Sequence, residues 1–348
     1  MNILRHDKNY SVGTDLDPIE DLLNFVTALK SKGFTSDLLR DVHEFTNTAE
    51  IKKTAQLISL HTDNALGLAT QGFDGPPETS FLPLYYSTLN LIKVYLLFLG
   101  KRTALESNRW HGAKYYEEEM GRQFLNEKIR ILNRGTIPLI YQTITGKIIG
   151  RNGIEIKLEE IYSCISSIEA EYLTITGNRG NLLCVSVNFI EDAVNGHFLK
   201  VDIIDNDSRA NPPRPRQIKA FSGLTLVQPT GQTPYYSSRK FLGNPTTIKA
   251  RLISSIKREL LCDQLQRTFG NWYSMTPING RHHVFSEELS ILLAYFHLSN
   301  VVRYNPEHLH KLMDSKYWAI LLGLRKHGFL RFLKLMWGNY NKFSFDIS

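Results

Sequence analysis

The amino-acid sequence predicts a mainly α-helical protein with a β-rich insertion, which places it in the α+β fold class. In residues 1–135, apolar side chains recur at three- and four-residue steps, the period of a helix with one buried face. Residues 136–246 contain short runs of β-branched and aromatic residues separated by glycine-bearing turns. Helical periodicity returns in residues 247–348. We expect the first and last segments to pack together, so that all three form one composite domain.

The length and composition are those of a globular chain. With 348 residues, of which 42% are hydrophobic and 22% charged, the chain can bury a sizeable core. Its apolar runs are shorter than the ~20 residues that a membrane span needs, and its N-terminus lacks the apolar core of a secretory signal. We therefore predict a cytoplasmic protein with no membrane partner.

The cysteines predict neither a disulfide framework nor a metal site. Cys164, Cys184 and Cys262 are far apart and odd in number, as expected of reduced thiols that pack as small hydrophobic residues. The sequence contains no zinc-binding helix motif, phosphate-binding loop or dinucleotide-binding fingerprint. We expect no metal and no cofactor.

Two helices of the first segment have recognisable start signals. Asp17 is a candidate N-cap, Pro18 suits the first helical position, and Glu20 can bond back to the cap. A second helix is predicted to open at Thr48, and its apolar residues recur mostly at three- and four-residue steps.

A third, long apolar helix begins at Phe81 and carries polar groups that burial alone does not require. Tyr86, Asn90 and Lys93 are spaced three or four residues apart and therefore share one helix face, next to the adjacent Tyr85. This stripe either lines a site or sets the register of an interface between helices. Lys93 is accordingly a candidate nucleic-acid contact.

A His-Gly pair follows at the head of another predicted helix. Gly112 allows close approach of the backbone, while Arg109 and Trp110 offer a cation and a stacking surface beside His111. His111 is a candidate catalytic residue and Arg109 a candidate nucleic-acid contact. The alternative is a histidine that bonds a buried carbonyl group in the helical core.

The middle segment reads as a small antiparallel sheet. Strands are predicted at 138–145, 182–190 and 197–205, and one amphipathic helix at 157–173. The Pro- and Arg-rich tract at 205–219 has no apolar periodicity, which predicts an exposed loop.

The last segment is basic and rich in histidine. Residues 251–348 contain 13 Lys and Arg against 7 Asp and Glu, and six of the 11 histidines. Such a surface suits phosphate groups, although a solvated helical surface has the same composition. Arg281, His282 and His283 follow a glycine. They are candidate nucleic-acid contacts; the alternative is that they lie in an exposed loop without a ligand. Helices are predicted at 247–269 and 286–304, and another opens at Asn305-Pro306.

Three patches, in this order along the chain, resemble the YaaC-like proteins, a family related at the fold level to the HEPN domains. They are the tyrosine-paired helix with His111-Gly112, the segment 146–172, and the stretch 289–318 with its Arg-Tyr-x-Pro turn. The resemblance implies a HEPN-like helical core. HEPN domains are often dimeric and are common in bacterial antiviral and toxin–antitoxin systems.

The resemblance also implies a reaction. Many HEPN domains are metal-independent ribonucleases that carry an Arg and a His separated by four to six residues. Arg303 and His308 have four residues between them and match this spacing. In that chemistry Arg holds the scissile phosphate and His takes a proton from the 2′-hydroxyl group. Pro306 and Tyr304 depart from the pattern, so capping of the helix at Asn305 is the alternative.

From these observations we predict an intracellular protein associated with nucleic acid, RNA rather than DNA. The expected setting is bacterial antiviral defence and the expected reaction, if any, is metal-independent RNA cleavage. Arg303 would hold phosphate, with His308 or His111 as proton acceptor. The alternative is a non-catalytic interaction subunit, a homodimer or a member of a complex. Its interface would use the polar stripe and the C-terminal aromatic residues Trp318, Trp337, Tyr340, Phe343 and Phe345.

Overall fold

The fold is taken from a computed structural model of the full chain. The structure describes residues 9–12, 18–108, 110–116, 123–177, 184–191, 196–203, 212, 214–215, 223–248, 252, 263–267, 270–274, 285–341 and 344–347. The chain divides into two units. The helical unit comprises residues 14–179 and 287–342, and the strand unit comprises residues 1–13, 180–286 and 343–348.

The helices and strands are numbered in chain order. The described helices are α1 (Pro18–Thr27), α2 (Lys32–Asp41), α3 (Thr48–Asp74), α4 (Pro77–Phe98), α5 (Arg102–Ser107), α6 (Thr136–Thr145), α7 (Leu158–Tyr162), α8 (Glu169–Thr176), α9 (Glu287–Tyr304), α10 (Pro306–Met313), α11 (Trp318–Gly323) and α12 (Phe329–Asn341). The described strands are β1 (Asn9–Val12), β2 (Ala113–Tyr115), β3 (Lys128–Ile131), β4 (Ile154–Lys157), β5 (Cys184–Ile190), β6 (Phe198–Ile203), β7 (Thr225–Val227), β8 (Tyr235–Ser237), β9 (Asp263–Arg267), β10 (Gly270–Ser274) and β11 (Ser344–Ile347).

Helix α4 is the centre of the helical unit. It packs against α3, α9 and α12, and most of its side chains are buried. By length and composition this 22-residue helix could cross a membrane, but 72% of its apolar window is buried inside the protein. A core helix of a soluble protein passes the same test, so the property is weak evidence for a membrane span. A five-residue π-helical segment, Leu324–Gly328, joins α11 to α12.

The helical unit also contains a three-stranded antiparallel sheet in the order β2-β3-β4. Ile129, Ile131, Ile154 and Ile156 point into the core from β3 and β4, whereas the alternate residues of these strands are more exposed. This alternation is typical of a sheet with one buried face.

The strand unit is built on a six-stranded sheet in the order β7-β8-β6-β5-β10-β9, whose described pairs are all antiparallel. A separate parallel pair joins β1 to β11, so strands from the two ends of the chain lie side by side in this unit.

The predicted fold class is confirmed: the chain is mainly α-helical with small antiparallel sheets. Two of the predicted helix starts are borne out in detail. Helix α3 begins at Thr48, where the Asn47 side chain accepts a hydrogen bond from the Glu50 N–H group. Helix α10 begins at Pro306 after the cap Asn305. Helix α1 also begins at Pro18, while its candidate cap Asp17 lies outside the described residues.

Several local predictions are wrong. Residues 138–145, predicted as a strand, belong to α6, because backbone carbonyl groups cap its first turn and Gly146 ends it with φ of +69°. The predicted helix after His111 is instead the strand β2, and residues 1–135 therefore contain strands as well as helices. Residues 136–179, predicted as part of the β-rich segment, belong to the helical unit.

The amphipathic helix predicted at 157–173 is broken into α7, a short 3₁₀ turn and α8. Both the backbone N–H group and the hydroxyl group of Ser166 bond to the buried Glu287 carboxylate, which fixes the break. The helix predicted at 247–269 is also wrong in its described second half, which forms β9.

Candidate functional site

Trp110 and His111 are held in place by the start of α6. Their carbonyl oxygens accept hydrogen bonds from the backbone N–H groups of Thr136 and Ile137, at 2.9 and 2.8 Å. These N–H groups belong to the first turn and have no partner inside the helix. The segment therefore caps α6, and the His111 side chain leaves from a backbone that is fixed in position.

Gly112 permits a close contact between two stretches of backbone. It has φ of +82°, and a Cβ atom there would lie 2.5 Å from Pro138 Cδ and 2.6 Å from the Arg134 carbonyl oxygen. Gly135 lies against it: a Cβ atom on Gly135 would lie 2.5 Å from Gly112 Cα. The expectation that Gly112 allows close approach of the backbone is confirmed.

The His111 side chain is partly buried against α4 and α9. Its ring centroid lies 5.4 Å from that of Phe296 and 6.4 Å from that of Tyr85. Burial lowers the pKa of His111, and the nearby positive charge of Arg303 lowers it further. The imidazole is therefore mostly neutral at pH 7, and no described residue forms a hydrogen bond with its ring nitrogens.

Arg303, near the end of α9, directs its guanidinium group towards α4. Its Nε donates to the Ser299 carbonyl oxygen at 3.2 Å, and Nη1 donates to the Tyr86 hydroxyl oxygen at 3.3 Å. Its Cζ lies 5.9 Å from the Tyr86 ring centroid and 5.0 Å from the Tyr304 ring centroid. Within the described chain, no carboxylate pairs with this partly buried cation. Since partial burial removes hydration, such a cation favours an incoming anion.

Tyr85 and Tyr86 complete this group. Tyr85 is fully buried, and its hydroxyl group has no hydrogen-bond partner among the residues the structure describes. Burial raises the pKa of Tyr85 well above its ordinary value, and the charge of Arg303 partly opposes that rise. We name Tyr85, Tyr86, His111 and Arg303 the Arg303 site. Two exposed rings adjoin it in sequence, Trp110 at 68% exposure and Tyr304 at 61%.

His308, the other predicted catalytic histidine, has different partners. It is buried on the first turn of α10, and its Nε2 lies 2.7 Å from Glu127 Oε1, off the line of a hydrogen bond. Glu127 Oε2 accepts hydrogen bonds from the Tyr115 hydroxyl group and from His297 Nε2, each at 2.9 Å. We name these four buried residues, Tyr115, Glu127, His297 and His308, the Glu127 cluster.

The cluster holds Glu127 as a carboxylate. Burial on its own raises the pKa of this group, but the interactions with His297 and His308 outweigh it and lower the pKa to about 2. The ring of His297 also packs against Tyr115 and Phe124, with centroids 5.0 and 5.7 Å apart. A buried carboxylate with neighbours on both oxygens and no exposed face is typical of a structural interaction rather than of a ligand site.

Arg303 and His111 thus lie at the same tyrosine pair, Arg303 against Tyr86 and His111 against Tyr85, while His308 belongs to the Glu127 cluster. Lys93 is partly buried on the same face of α4 as Tyr86, as predicted from its spacing. Four of the candidate nucleic-acid contacts, Arg109, Arg281, His282 and His283, lie outside the described residues.

The aromatic residues proposed for a C-terminal interface belong largely to the core. Trp337 is 6% exposed and stacks on Phe25, with ring centroids 5.9 Å apart. Tyr340 is fully buried, and its hydroxyl group donates to the Leu91 carbonyl oxygen at 2.8 Å. Trp318 is partly buried against Phe81. The side chains of Phe343 and Phe345 lie outside the described part of the structure.

Sequence reasoning missed Glu127, His297 and Tyr115. Glu127 and His297 are separated by 170 positions, so no local spacing pairs them. The one available signal was a Glu placed directly before a strand and a His inside an apolar helix. Among the described residues, no group of three or more His, Cys, Asp or Glu side chains is arranged to hold a metal ion.

Comparison with known families gives one match. A family model described as YaaC-like Protein matches residues 27–324, which is most of the chain. The chain belongs to the YaaC-like family. The matched range includes every residue of the Arg303 site and of the Glu127 cluster, and the predicted resemblance is confirmed. The searches of curated proteins and of solved structures found no match. The relation of the helical unit to HEPN domains stays a prediction.

Proposed function

We propose that this YaaC-like protein is an intracellular component of bacterial antiviral defence that binds single-stranded RNA at the Arg303 site and cleaves it without a metal ion. The supporting observation is the placement of Arg303 beside His111. A partly buried guanidinium group without a carboxylate partner in the described chain lies near enough to His111 for its charge to lower the pKa of the imidazole, and both side chains pack at the Tyr85–Tyr86 pair.

Arg303 is the group that would hold the scissile phosphate. Its Nε and Nη1 atoms are engaged by Ser299 and Tyr86, which orient the guanidinium plane. Of its nitrogens, Nη2 forms no hydrogen bond with a described residue, and it is the atom that would donate to a phosphate oxygen. Arg is suited to this role because it stays charged and presents several donors in a fixed plane.

His111 is the better candidate for the proton acceptor, because its ring nitrogens have no partner among the described residues and it is only partly buried. It would take the proton of the 2′-hydroxyl group as the 2′-oxygen attacks phosphorus. The bond from phosphorus to the 5′-oxygen then breaks, and that oxygen takes a proton from water. The products are a 2′,3′-cyclic phosphate and a 5′-hydroxyl end.

Two exposed aromatic rings next to the Arg303 site favour the binding of single-stranded RNA over duplex RNA. Trp110 and Tyr304 are largely exposed, with Arg303 over the ring of Tyr304, and unpaired bases stack on exposed aromatic rings regardless of sequence. Each stacked base contributes about 1–3 kcal/mol to the free energy of binding. A duplex hides its base faces and would gain nothing from these rings.

The test is cleavage of end-labelled RNA in EDTA by the wild type and matched variants. We expect Arg303→Ala and His111→Ala each to lower the rate by about 10²–10⁴-fold. Arg151→Ala and His327→Ala, which change exposed residues of the same types, should cleave as the wild type does. Equal cleavage by all variants, or none by the wild type, would contradict a ribonuclease at this site.

The second candidate function is a non-catalytic interaction subunit, favoured by the same exposure of Trp110 and Tyr304. In that case a Trp110→Ala/Tyr304→Ala double variant would disperse an oligomer or release a partner protein. Light scattering of the purified wild type and variant separates this from RNA binding, in which the same variant weakens RNA affinity without changing the mass.

A further inference from the structure

Helix α4 carries a second partly buried cation two helical turns beyond Tyr86. None of the described residues forms an ion pair or hydrogen bond with Lys93 Nζ. Burial lowers the pKa of Lys93, because the ammonium group has lost part of its hydration without gaining a counter-ion. Lys93 thus resembles Arg303 in having no carboxylate partner among the described residues.

A fixed imidazole lies beside Lys93. His61 on α3 places its Nδ1 atom 2.8 Å from Asn90 Oδ1, and Asn90 Nδ2 donates to the Tyr86 carbonyl oxygen at 2.8 Å. The second bond fixes the orientation of the Asn90 amide, so its oxygen faces the histidine. His61 Nδ1 therefore carries the proton of that bond, and Nε2 is left without a partner in the described structure.

We propose that His61, Asn90 and Lys93 form a phosphate-binding subsite, here named the Lys93 subsite, which takes a second phosphate of the strand bound at the Arg303 site. The link to that strand rests on the proposed function. Lys93 supplies the charge. Burial and the Lys93 charge lower the pKa of His61, so Nε2 accepts in the empty subsite and donates only when a bound phosphate favours protonation of the ring. Asn90 holds the imidazole in the orientation that makes this donation possible.

The geometry of α4 fits this role. Tyr86 and Lys93 are seven residues apart, a rise of about 10 Å along the helix. In an extended RNA strand, this rise is comparable to the separation of two neighbouring phosphates or of two phosphates with one between them. The two unpaired cations would thus line a single path along α4, with Arg303 at one end and Lys93 at the other.

The first arm of the test measures binding of a fluorescent ten-nucleotide RNA across a series of salt concentrations. We expect Lys93→Met to weaken binding about tenfold and to lower the slope of log affinity against log salt by ~0.7, the value for one phosphate contact on a single strand. Lys93→Arg should retain most of the affinity. Lys52→Met, which changes an exposed lysine of α3, should behave as the wild type does.

The second arm uses inorganic phosphate alone and follows the His61 ring resonances by NMR. We expect phosphate to shift them in the wild type and in Lys52→Met but not in Lys93→Met. RNA binding by the wild type with an unchanged Kd and salt slope in Lys93→Met would overturn the subsite while leaving the proposed function intact. If the wild type binds no RNA, the proposed function fails, and the phosphate titration then decides the subsite: a shift dependent on Lys93 upholds it and its absence overturns it.

Discussion

The Glu127 cluster and the Arg303 site each combine histidine and tyrosine with one charged group, but they differ in exposure and pairing. In the cluster, a carboxylate lies between two histidines and a tyrosine, and all four groups are buried. In the site, a guanidinium group and an imidazole are only partly buried, and no carboxylate of the described chain compensates the charge. The first arrangement is complete in itself, whereas the second leaves donors and acceptors for a ligand.

Spacing in the sequence does not determine which histidine lies in the Arg303 site. Arg303 and His308 are separated by the end of α9 and by the Asn305-Pro306 start of α10. The Arg303 side chain extends back along α9 to Ser299 and across to Tyr86, while His308 reaches Glu127. His111, almost two hundred residues earlier in the chain, is the histidine whose pKa the charge of Arg303 lowers.

The largest effect should come from breaking the buried cluster. Glu127→Ala leaves two buried histidines without their carboxylate, and we expect it to lower the free energy of unfolding by about 3–5 kcal/mol. Urea unfolding followed by circular dichroism measures the change. The matched control is Glu155→Ala, which removes a carboxylate that pairs with Lys128 and Arg130 on the surface and should change stability by about 1 kcal/mol or less. Similar losses in the two variants would refute the distinction drawn between buried and exposed pairs.

The pH dependence of stability tests the same cluster more finely. The folded-state pKa of Glu127, about 2, is below its ordinary value of 4.5, so its stabilising contribution is present above pH 4.5 and is lost as the pH falls from there through 2. The loss amounts to about 3 kcal/mol. Unfolding free energies measured at several pH values from 5 to 2 should fall more steeply in the wild type than in Glu127→Gln. Parallel curves would mean that Glu127 does not carry the acid sensitivity.

A backbone change at Gly112 tests the Arg303 site in the same way that the Glu127 variants test the cluster. Gly112→Ala forces a side chain into a positive-φ position and against Pro138 and the Arg134 carbonyl oxygen. We expect a loss of about 2 kcal/mol in stability together with weaker RNA binding, because the segment that carries His111 must shift. The control Gly150→Ala has open space around the new methyl group and should be close to neutral. Thermal unfolding and RNA affinity, measured on both variants, decide the point.

The smallest effect should come from Tyr86→Phe. This change removes the hydroxyl oxygen that accepts from Arg303 Nη1 and leaves the ring in place. We expect RNA affinity to fall by roughly 2–10-fold, the equivalent of one ordinary hydrogen bond, with stability almost unchanged. Fluorescence anisotropy measures the affinity. A variant that binds as tightly as the wild type would show that Tyr86 does not orient Arg303 for the ligand.

The sequence predicted correctly those features that depend on neighbouring residues, such as helix starts and close backbone contacts. Asn305 and Pro306 determine the start of α10 through one cap and one fixed φ angle, and both can be recognised from neighbouring residues alone. The Gly after His111 likewise indicated a close backbone contact, which the structure places against Gly135. The polar stripe on α4 followed from helical period.

Features that depend on distant residues could not be predicted in this way. The β-type residues at 138–145 form α6 because carbonyl groups of Trp110 and His111 cap the helix, and those residues are more than twenty positions away. The Glu127 cluster depends on a pair separated by 170 positions. Neither the capping of α6 nor the Glu127–His297 pair produces a pattern among neighbouring residues, so propensity and periodicity cannot predict them.

The capping of α6 by the Trp110–Gly112 segment would also affect the entropy of the proposed RNA recognition. The Trp110 ring is exposed, yet its carbonyl oxygen is bonded to the Thr136 N–H group, and the Gly112 carbonyl oxygen is bonded to the Leu132 N–H group. A base that stacks on this ring therefore restricts the rotation of a single side chain and orders little main chain. Preorganisation of this kind lets a small aromatic surface contribute most of its contact energy to affinity.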